Sequence, residues 1–531
     1  MMAPHLVIVP IVLPLLTGAL CLLLARRRPA LANHLSLGAT LAVLAVNVVL
    51  FVRADEGATE AYLVSNWDVP FGIVLALDRL SALFLVLTSV VALIALLHAR
   101  RGDAARGPHF DTLFQLQLMG VYGAFLTGDL FNLFVFFEVL LAASYGLVLH
   151  GAGRRRLRAS FHYVTFNLVG SALFLIAVSA LYALTGTLNM ADLSARIGLL
   201  TDTSAVLAQA AALLLIVVFL VKGAAFPLYF WLPETYGAAT ASVATLFAIM
   251  TKVGIYAIAR VTTLIFGSDG GSLAHVAAPY LPILALITIA VAALGTLAAT
   301  NLASLVAYLV VGSAGMLLFS LGLGTAAAIT AALFYAVPST LLVAAFFVLG
   351  DRLKAARGAD TLAPGALITG RNKTRLGLAY LVLAIAAAGM PPLSPFFGKT
   401  MALGAALETP WGAVGFAVVL GASLLVMIAL TRAGTSLFWA GSTRTEGTPD
   451  IAPPGAALAV GVLLVLATTV FAGPLEGFAA RTARQVTNPG EYRAAIFATR
   501  PAPPLLDIRG ASTLSNEARA VWLRLSPEAP R

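Results

Sequence analysis

Four ionisable residues, Glu138, Lys222, Lys252 and Lys399, stand inside stretches of sequence that are otherwise apolar. Insertion scales put a charged side chain at the centre of a membrane-spanning helix at a cost of about 2.5–3.5 kcal/mol. Internal ion pairs would be one reason to keep them, and lysines snorkelling to an interface another. Lys222, with sixteen residues of its own run before it, lies too deep for snorkelling. The chemical reason is proton transfer. A lysine taken out of water loses support for its charge and can release a proton near neutral pH, while a buried carboxylate shifts the opposite way. If Glu138 and Lys222 are neighbours, each steadies the other's charged form and the two titrate as a unit. Hydroxyls accompany them. Thr245, Lys252 and Tyr256 stand at i, i+7 and i+11, on one helical face, and Glu138 and Tyr145 are seven apart. Such stripes also bond helices together without any transport.

Two of the runs that position these residues are broken. The seventh continues from Val206 to Lys222, then reads Gly223-Ala224-Ala225-Phe226-Pro227 and Trp231-Leu232-Pro233. The twelfth continues from Leu376 to Ala388, then reads Gly389-Met390-Pro391-Pro392-Leu393-Ser394-Pro395. Proline removes a helix donor and clashes with the preceding turn. Within a bilayer such breaks are tolerated where they face protein or a water-filled cavity. Paired, proline-interrupted spans in corresponding halves of a chain point to a transport site built from repeats.

The elements themselves are membrane helices. Of the 531 residues, 60% are apolar and 11% charged, against about 45–50% and about 25% in soluble proteins. Apolar runs long enough to cross a hydrocarbon core recur along the chain. They read as about fourteen spans. The fourth, Leu113–Leu126, and the fifth, Leu130–Leu149, are separated only by Thr127-Gly128-Asp129. The seventh is Val206–Trp231, the eighth Ala238–Ile265, the twelfth Leu376–Leu407 and the last Ala456–Phe471. Alternate loops divide the basic residues eighteen to four. Lys and Arg favour the cytoplasmic side of short loops, so both termini are expected outside the cytoplasm. The formal charge of +10 sits in short loop clusters without an aromatic-interleaved face, which speaks against nucleic acid as a partner. Cys21 is the single cysteine, which rules out intramolecular disulfides and cysteine metal clusters. Arg26-Arg27-Arg28 follows the first apolar run, the wrong order for a cleaved signal peptide. After Glu476 the chain is polar and contains prolines; a mobile extension and a lateral, partner-contacting segment both fit it.

At these residues the sequence resembles a known family. Leu126-Thr127-Gly128-Asp129-Leu130-Phe131-Asn132 through Glu138 is similar to the fifth-helix signature of the D-type subunits of the Mrp-type multi-subunit Na⁺/H⁺ antiporters. So are Lys222 with Phe226-Pro227-Leu228 and Trp231-Leu232-Pro233-Glu234, Thr251-Lys252-Val253-Gly254-Ile255-Tyr256, and Met390 through Lys399. The wider superfamily includes antiporter-like subunits of respiratory complex I and of membrane-bound hydrogenases. The resemblance implies an all-α integral membrane fold with two inverted five-helix repeats, helices 4–8 and 9–13, each with a broken helix. It divides the chain into helices 1–3 (residues 1–110), a first repeat (111–265), a second repeat (281–438), helix 14 (456–473) and a polar tail (474–531). It also implies that Glu138 and Lys222 form the charge pair of a first half-channel, that Lys252 begins a central hydrophilic axis, and that Lys399 serves a second half-channel. Tyr145, Pro227, Glu234, Thr245, Tyr256, Pro391 and Pro392 are expected as supporting polar or helix-breaking residues. The chain departs from the pattern at Ala303, where relatives often carry a basic residue, and at Pro338, where many carry histidine, and it reads Ser313 at a position that is polar or histidine in relatives. The central axis between Lys252 and Lys399 therefore lacks its usual titratable groups, and either water with Ser313, Ser339 and Thr340 bridges it, or only the first half-channel works.

The reading that follows is a subunit exchanging H⁺ for Na⁺ or another monovalent cation, working with other subunits of an Mrp-type complex in a bacterial inner membrane. A redox-driven pump subunit is the nearest alternative, and a structural membrane scaffold a third. No nucleophile–base or metal-ligand set accompanies the broken spans, so no cofactor, no metal and no enzymatic catalysis by this chain are expected.

Overall fold

The structure, a computed structural model, describes residues 4–57, 59–64, 66–358, 360–363, 365–366, 371–442 and 455–501. The twelve helices of the first half are α1 (Val9–Leu24), α2 (Pro29–Glu56), α3 (Arg79–Ala99), α4 (Phe110–Leu126), α5 (Leu130–Leu149), α6 (Arg154–Thr185), α7 (Met190–Arg196), α8 (Asp202–Lys222), α9 (Trp231–Ala238), α10 (Ala241–Phe247), α11 (Met250–Arg260) and α12 (Leu281–Ala298). Eight more follow: α13 (Leu302–Gly322), α14 (Ala326–Arg357), α15 (Arg371–Ala388), α16 (Ser394–Leu407), α17 (Gly412–Phe438), α18 (Ala456–Val470), α19 (Ala472–Val486) and α20 (Pro489–Ala498). Among the described residues, strands are confined to an antiparallel hairpin, β1 (Glu60–Leu63) with β2 (Val74–Leu77), in the register Glu60 to Leu77, and a parallel pair of two-residue strands.

Among the described residues, 11 helices are long and apolar enough to cross a membrane, or 12 if α18 and α19, bent by 75°, count as one span. Two of the fourteen expected spans fall outside that number for local reasons. The fourth, α4, has 17 residues, and the twelfth is divided into α15 and α16 at its prolines. The eighth also differs from expectation. It is interrupted at Ala248 and Ile249 between α10 and α11, and ends in a π-helical turn, Val261–Ile265.

Helix starts follow the capping residues. Asp78 caps α3 in a reciprocal capping box with Ser81, Asp129 caps α5 through the Asn132 N–H, and Asn301 and Thr325 cap α13 and α14. Burial pushes the Asp129 carboxyl up to about 6. The arginine-rich loops meet at one end of the bundle. There His98 pairs with Asp351 at 3.1 Å, Asp103 accepts from the Ser242 N–H and hydroxyl, and Arg155 lies 3.8 Å from Asp360. The opposite end is tied by Asp55 to Arg79 and Arg481, by Asp78 to Arg260, and by the Gly128 N–H bonding Val74 O of the hairpin. The segment after Glu476, for which two readings fit the sequence, is helical in α19 and α20 across this end, packed against α14, α3 and α7. Residues 502–531 lie outside the described residues.

Candidate functional site

α8 ends at Lys222, and the chain turns through Gly223 to Phe230 before α9 resumes. The turn satisfies its own freed groups. The Trp231 indole donates to Val221 O at 3.2 Å, and the Phe226 N–H donates to Thr288 Oγ1 on α12 at 2.9 Å. α11 passes so close that a Cβ on Gly254 would stand 2.6 Å from Gly223 N and 2.9 Å from Lys222 C, so only glycine fits there. Lys222 is thereby clamped at the carbonyl end of a half-helix, where the backbone dipole favours positive charge.

Lys222 is 5% exposed, and its ammonium donates to three oxygens of α6: Asn167 O at 3.2 Å, Asn167 Oδ1 at 3.3 Å and Ser171 Oγ at 3.4 Å. The Asn167 amide is turned this way because its Nδ2 donates to Tyr163 O at 2.9 Å. The Phe137 ring lies 5.9 Å from the ammonium. Glu138, half-buried on α5, does not touch Lys222. Its Oε1 accepts the Ser171 hydroxyl, which alternatively bonds Asn167 O at 3.0 Å. The direct Glu138–Lys222 pair expected by resemblance is thus replaced by a serine-bridged one. Tyr145, one face along from Glu138, stacks edge-on against Tyr163 with ring centroids 5.3 Å apart.

Lys252 is fully buried and donates to Ser313 Oγ on α13 at 2.8 Å. Tyr256, one turn on, donates to Phe125 O at 2.6 Å and accepts from Arg260 at 2.9 Å. Thr245 leaves the expected stripe. The break at Ala248 turns it to Ala344 O on α14, at 3.4 Å. Glu234 stands at the arginine-rich end, exposed, with His162 at 3.0 Å and Arg158 at 3.9 Å, so the structure does not bring it to the lysines.

Lys399 reaches back across the second break to the last carbonyl of α15, Ala388 O, at 3.1 Å, and to Ser423 Oγ on α17 at 3.0 Å. Gly389, at φ +74°, leaves the room: a Cβ there would stand 2.6 Å from the Lys399 Nζ. Pro227, Pro391 and Pro392 lie within the two breaks. Among the described residues no carboxylate lies within ion-pair distance of Lys222, Lys252 or Lys399, and no group of three or more His, Cys, Asp or Glu is arranged to hold a metal.

A cavity of about 60 Å³ joins the second pair of lysines. It is lined by Ser313, the acceptor of Lys252, by Tyr308, Tyr335 and Ser339, and by Lys399 with Ser423. At about 10–15 Å³ per water that is room for about four to six waters. Ala303, by contrast, lines a separate cavity at the arginine-rich end, so its small side chain does not interrupt the axis. Thr340 bonds Ala336 O and is not part of the lining.

The site that sequence reasoning missed is the serine and asparagine of α6. Spaced four apart on one helix face, Asn167 and Ser171 were the available signal. Arg260 was also missed. Lying within the expected eighth span, it is 4% exposed and bonded bidentately to Asp78 at 2.5 and 2.9 Å.

The family model described as NADH:quinone oxidoreductase/Mrp antiporter, transmembrane, matches residues 127–425. The D component of a probable K⁺/H⁺ antiporter of Rhizobium meliloti is 42% identical over 480 residues, covering 84% of this chain and 88% of that one. The D component of a Na⁺/H⁺ antiporter of Bacillus subtilis is 36% identical over 498 residues, covering 92% and 99%. Among solved structures, a chain of the Mrp complex from a Dietzia species superposes with a TM-score of 0.83 at 26% identity, covering 94% of this chain and 100% of that one. A chain of the membrane-bound sulfane sulfur reductase, an archaeal respiratory membrane complex, does so with a TM-score of 0.83 at 25% identity, covering 93% and 100%.

Proposed function

The chain belongs to the NADH:quinone oxidoreductase/Mrp antiporter transmembrane family, and from that membership and the lysine sites we propose that it is the D-type component of a multi-subunit antiporter exchanging protons for a monovalent cation. The observation that carries the mechanism is the bridge Lys222–Ser171–Glu138 at the end of a broken helix. A proton leaving the Lys222 ammonium passes to Ser171 Oγ as the Ser171 hydroxyl proton passes to Glu138, so one charge pair is discharged and one proton moves, with no net charge created in the bilayer. When the Ser171 hydroxyl turns to Asn167 O instead, the bridge opens. Serine therefore makes the coupling of the two charged groups conditional.

Lys252 and Lys399 continue the route. Both end on serines that line the same cavity, and a short water chain between Ser313 and Lys399 supplies what the absent titratable groups would have supplied. The broken helices α8–α9 and α15–α16 are read as corresponding elements of two repeats, because in each a lysine ammonium bonds a carbonyl and a serine beside the break. The chain works with other subunits of an Mrp-type complex in a bacterial inner membrane, as a transporter subunit and not an enzyme, with both termini outside the cytoplasm. The eighteen-to-four division of loop charges supports that orientation.

A redox-driven pump subunit is the second reading, favoured by the equal superposition on the sulfane sulfur reductase chain. Dissipation of ΔpH by added Na⁺, K⁺ or Li⁺ in everted vesicles, with and without the partner genes, separates the two. Antiport is expected to need both the cation and the partners; proton movement indifferent to every cation would favour the pump.

A further inference from the structure

The three oxygens around the Lys222 ammonium are a cation cage that the protein fills with its own side chain. We propose that Asn167 O, Asn167 Oδ1 and Ser171 Oγ, with the Glu138 carboxylate bonded behind Ser171 as their counter-charge, form the binding site for the exchanged monovalent cation, which the Lys222 ammonium and the cation occupy in turn. This rests on the antiporter reading above.

Hard oxygen donors without sulfur or imidazole select alkali and alkaline-earth cations, and the set holds one carboxylate, enough to neutralise one positive charge. Three features show that the site is organised around a cation. The Asn167 amide is oriented oxygen-inward by its bond to Tyr163 O. The Phe137 ring face lies 5.9 Å from the centre, a distance at which rings attract cations. The site is also at the carbonyl end of a half-helix, the place where broken membrane helices coordinate small cations. The donors stand 3.2–3.4 Å from the nitrogen, loose for an ammonium, so the cage suits an ion of potassium size better than one of sodium size. Two positive charges a bond length apart in this buried space repel strongly, so the two occupants exclude each other. Lys222 is the last residue of its helix and its backbone is held by α11, so the ammonium leaves the cage by a swing of its flexible four-carbon stem alone. Mutual exclusion at one site is sufficient for exchange: the cation is admitted only when the ammonium has gone, and displaced when it returns. The second lysine lacks this property. Lys399 faces a carbonyl and a hydroxyl, and among the described residues that hydroxyl is not bonded to a carboxylate as Ser171 is to Glu138, so the cation site belongs to the first break alone.

The test uses the intact complex in nanodiscs, titrated calorimetrically with KCl and NaCl against choline chloride. Lys222→Met, which keeps the stem and removes the charge, is expected to bind one K⁺ per chain about tenfold or more tighter than the parent. The double variant Glu138→Gln/Lys222→Met is expected to lose that binding, as loss of hydrogen bonding to a charge, about 1.5–3 kcal/mol, implies a tenfold change or more. No cation signal in Lys222→Met, or equal binding by the double variant, overturns the proposal. Should Lys222→Met fail to assemble, Asn167→Ala decides. Its cation concentration for half-maximal exchange is expected to rise about tenfold, by the same arithmetic; an unmoved half-saturation overturns the site. If the parent complex exchanges no cation at all, the antiporter reading itself fails, which is a separate result from either.

Discussion

Ser171→Ala is the sharpest probe of the bridge. The substitution removes one oxygen atom from a buried site and leaves both charged residues in place. It takes away one of the three acceptors of Lys222 and the one described hydrogen-bond donor to Glu138. Hydrogen bonds to charged groups are worth about 1.5–3 kcal/mol each. If the bridge is the route of the proton, losing one such bond in the transfer step lowers exchange by about tenfold to about a hundredfold. Ser171→Thr keeps the hydroxyl and is expected to retain most of the activity. The assay is the initial rate of ΔpH dissipation in everted vesicles, normalised to assembled complex. Parental exchange by a normally assembled Ser171→Ala complex would refute the serine bridge and leave a direct Glu138–Lys222 contact as the alternative.

Three further outcomes follow from the packing. Gly254→Ala should lower the melting temperature of the complex and its exchange together, since its Cβ would sit 2.6 Å from the Gly223 backbone and overpacking costs about 1–3 kcal/mol; a neutral effect would mean that the helix contact is not a clamp. Ala293→Leu, which projects into the 60 Å³ cavity, should slow exchange as strongly as Lys399→Ala does, and Lys399→Ala should rival Lys222→Ala. A cavity-filled complex exchanging normally would show that no water chain joins the halves. Asp129 sets a pH dependence. Its carboxyl is raised by burial to about 6, so its contribution to stability is present below about pH 4, its unfolded range, and is lost as pH rises through about 6. Asp129→Asn should flatten the thermal-stability profile of the complex across that window, and an unchanged profile would assign the slope to other groups.

The helices were legible because the solvent they must satisfy is apolar: runs of Leu, Val and Ala can only span. The two helix breaks were legible because proline announces them. The break in the eighth span was not, because Ala248 and Ile249 carry no local signal for it. Nor did the sequence reveal Ser171 as a bridge, since a serine in a membrane helix usually bonds its own preceding turn, as Ser171 also does here. What distinguishes it is the approach of Glu138 from α5 and Lys222 from α8, a property of three helices together. The cavity was hidden for the same reason. Ala292, Ala293 and Gly312 are ordinary small residues until α12 and α13 set them opposite one another. The segment after Glu476 held a readable pattern: Phe478, Ala479, Thr482, Ala483 and Val486 recur at helical spacing. Its polar composition masked that amphipathic stripe.

The central claim is that Glu138 and Lys222 handle one proton as a coupled unit, and the measurement nearest to it is exchange by Glu138→Gln, Lys222→Ala and the double variant in complexes assembled to the same level. Removing one partner of a buried pair typically costs about 3–5 kcal/mol, and the surviving group is held in one protonation state. Each single variant is therefore expected to abolish cation-dependent dissipation of ΔpH, with the double no worse than either. A Glu138→Gln complex exchanging at the parental rate would contradict the account.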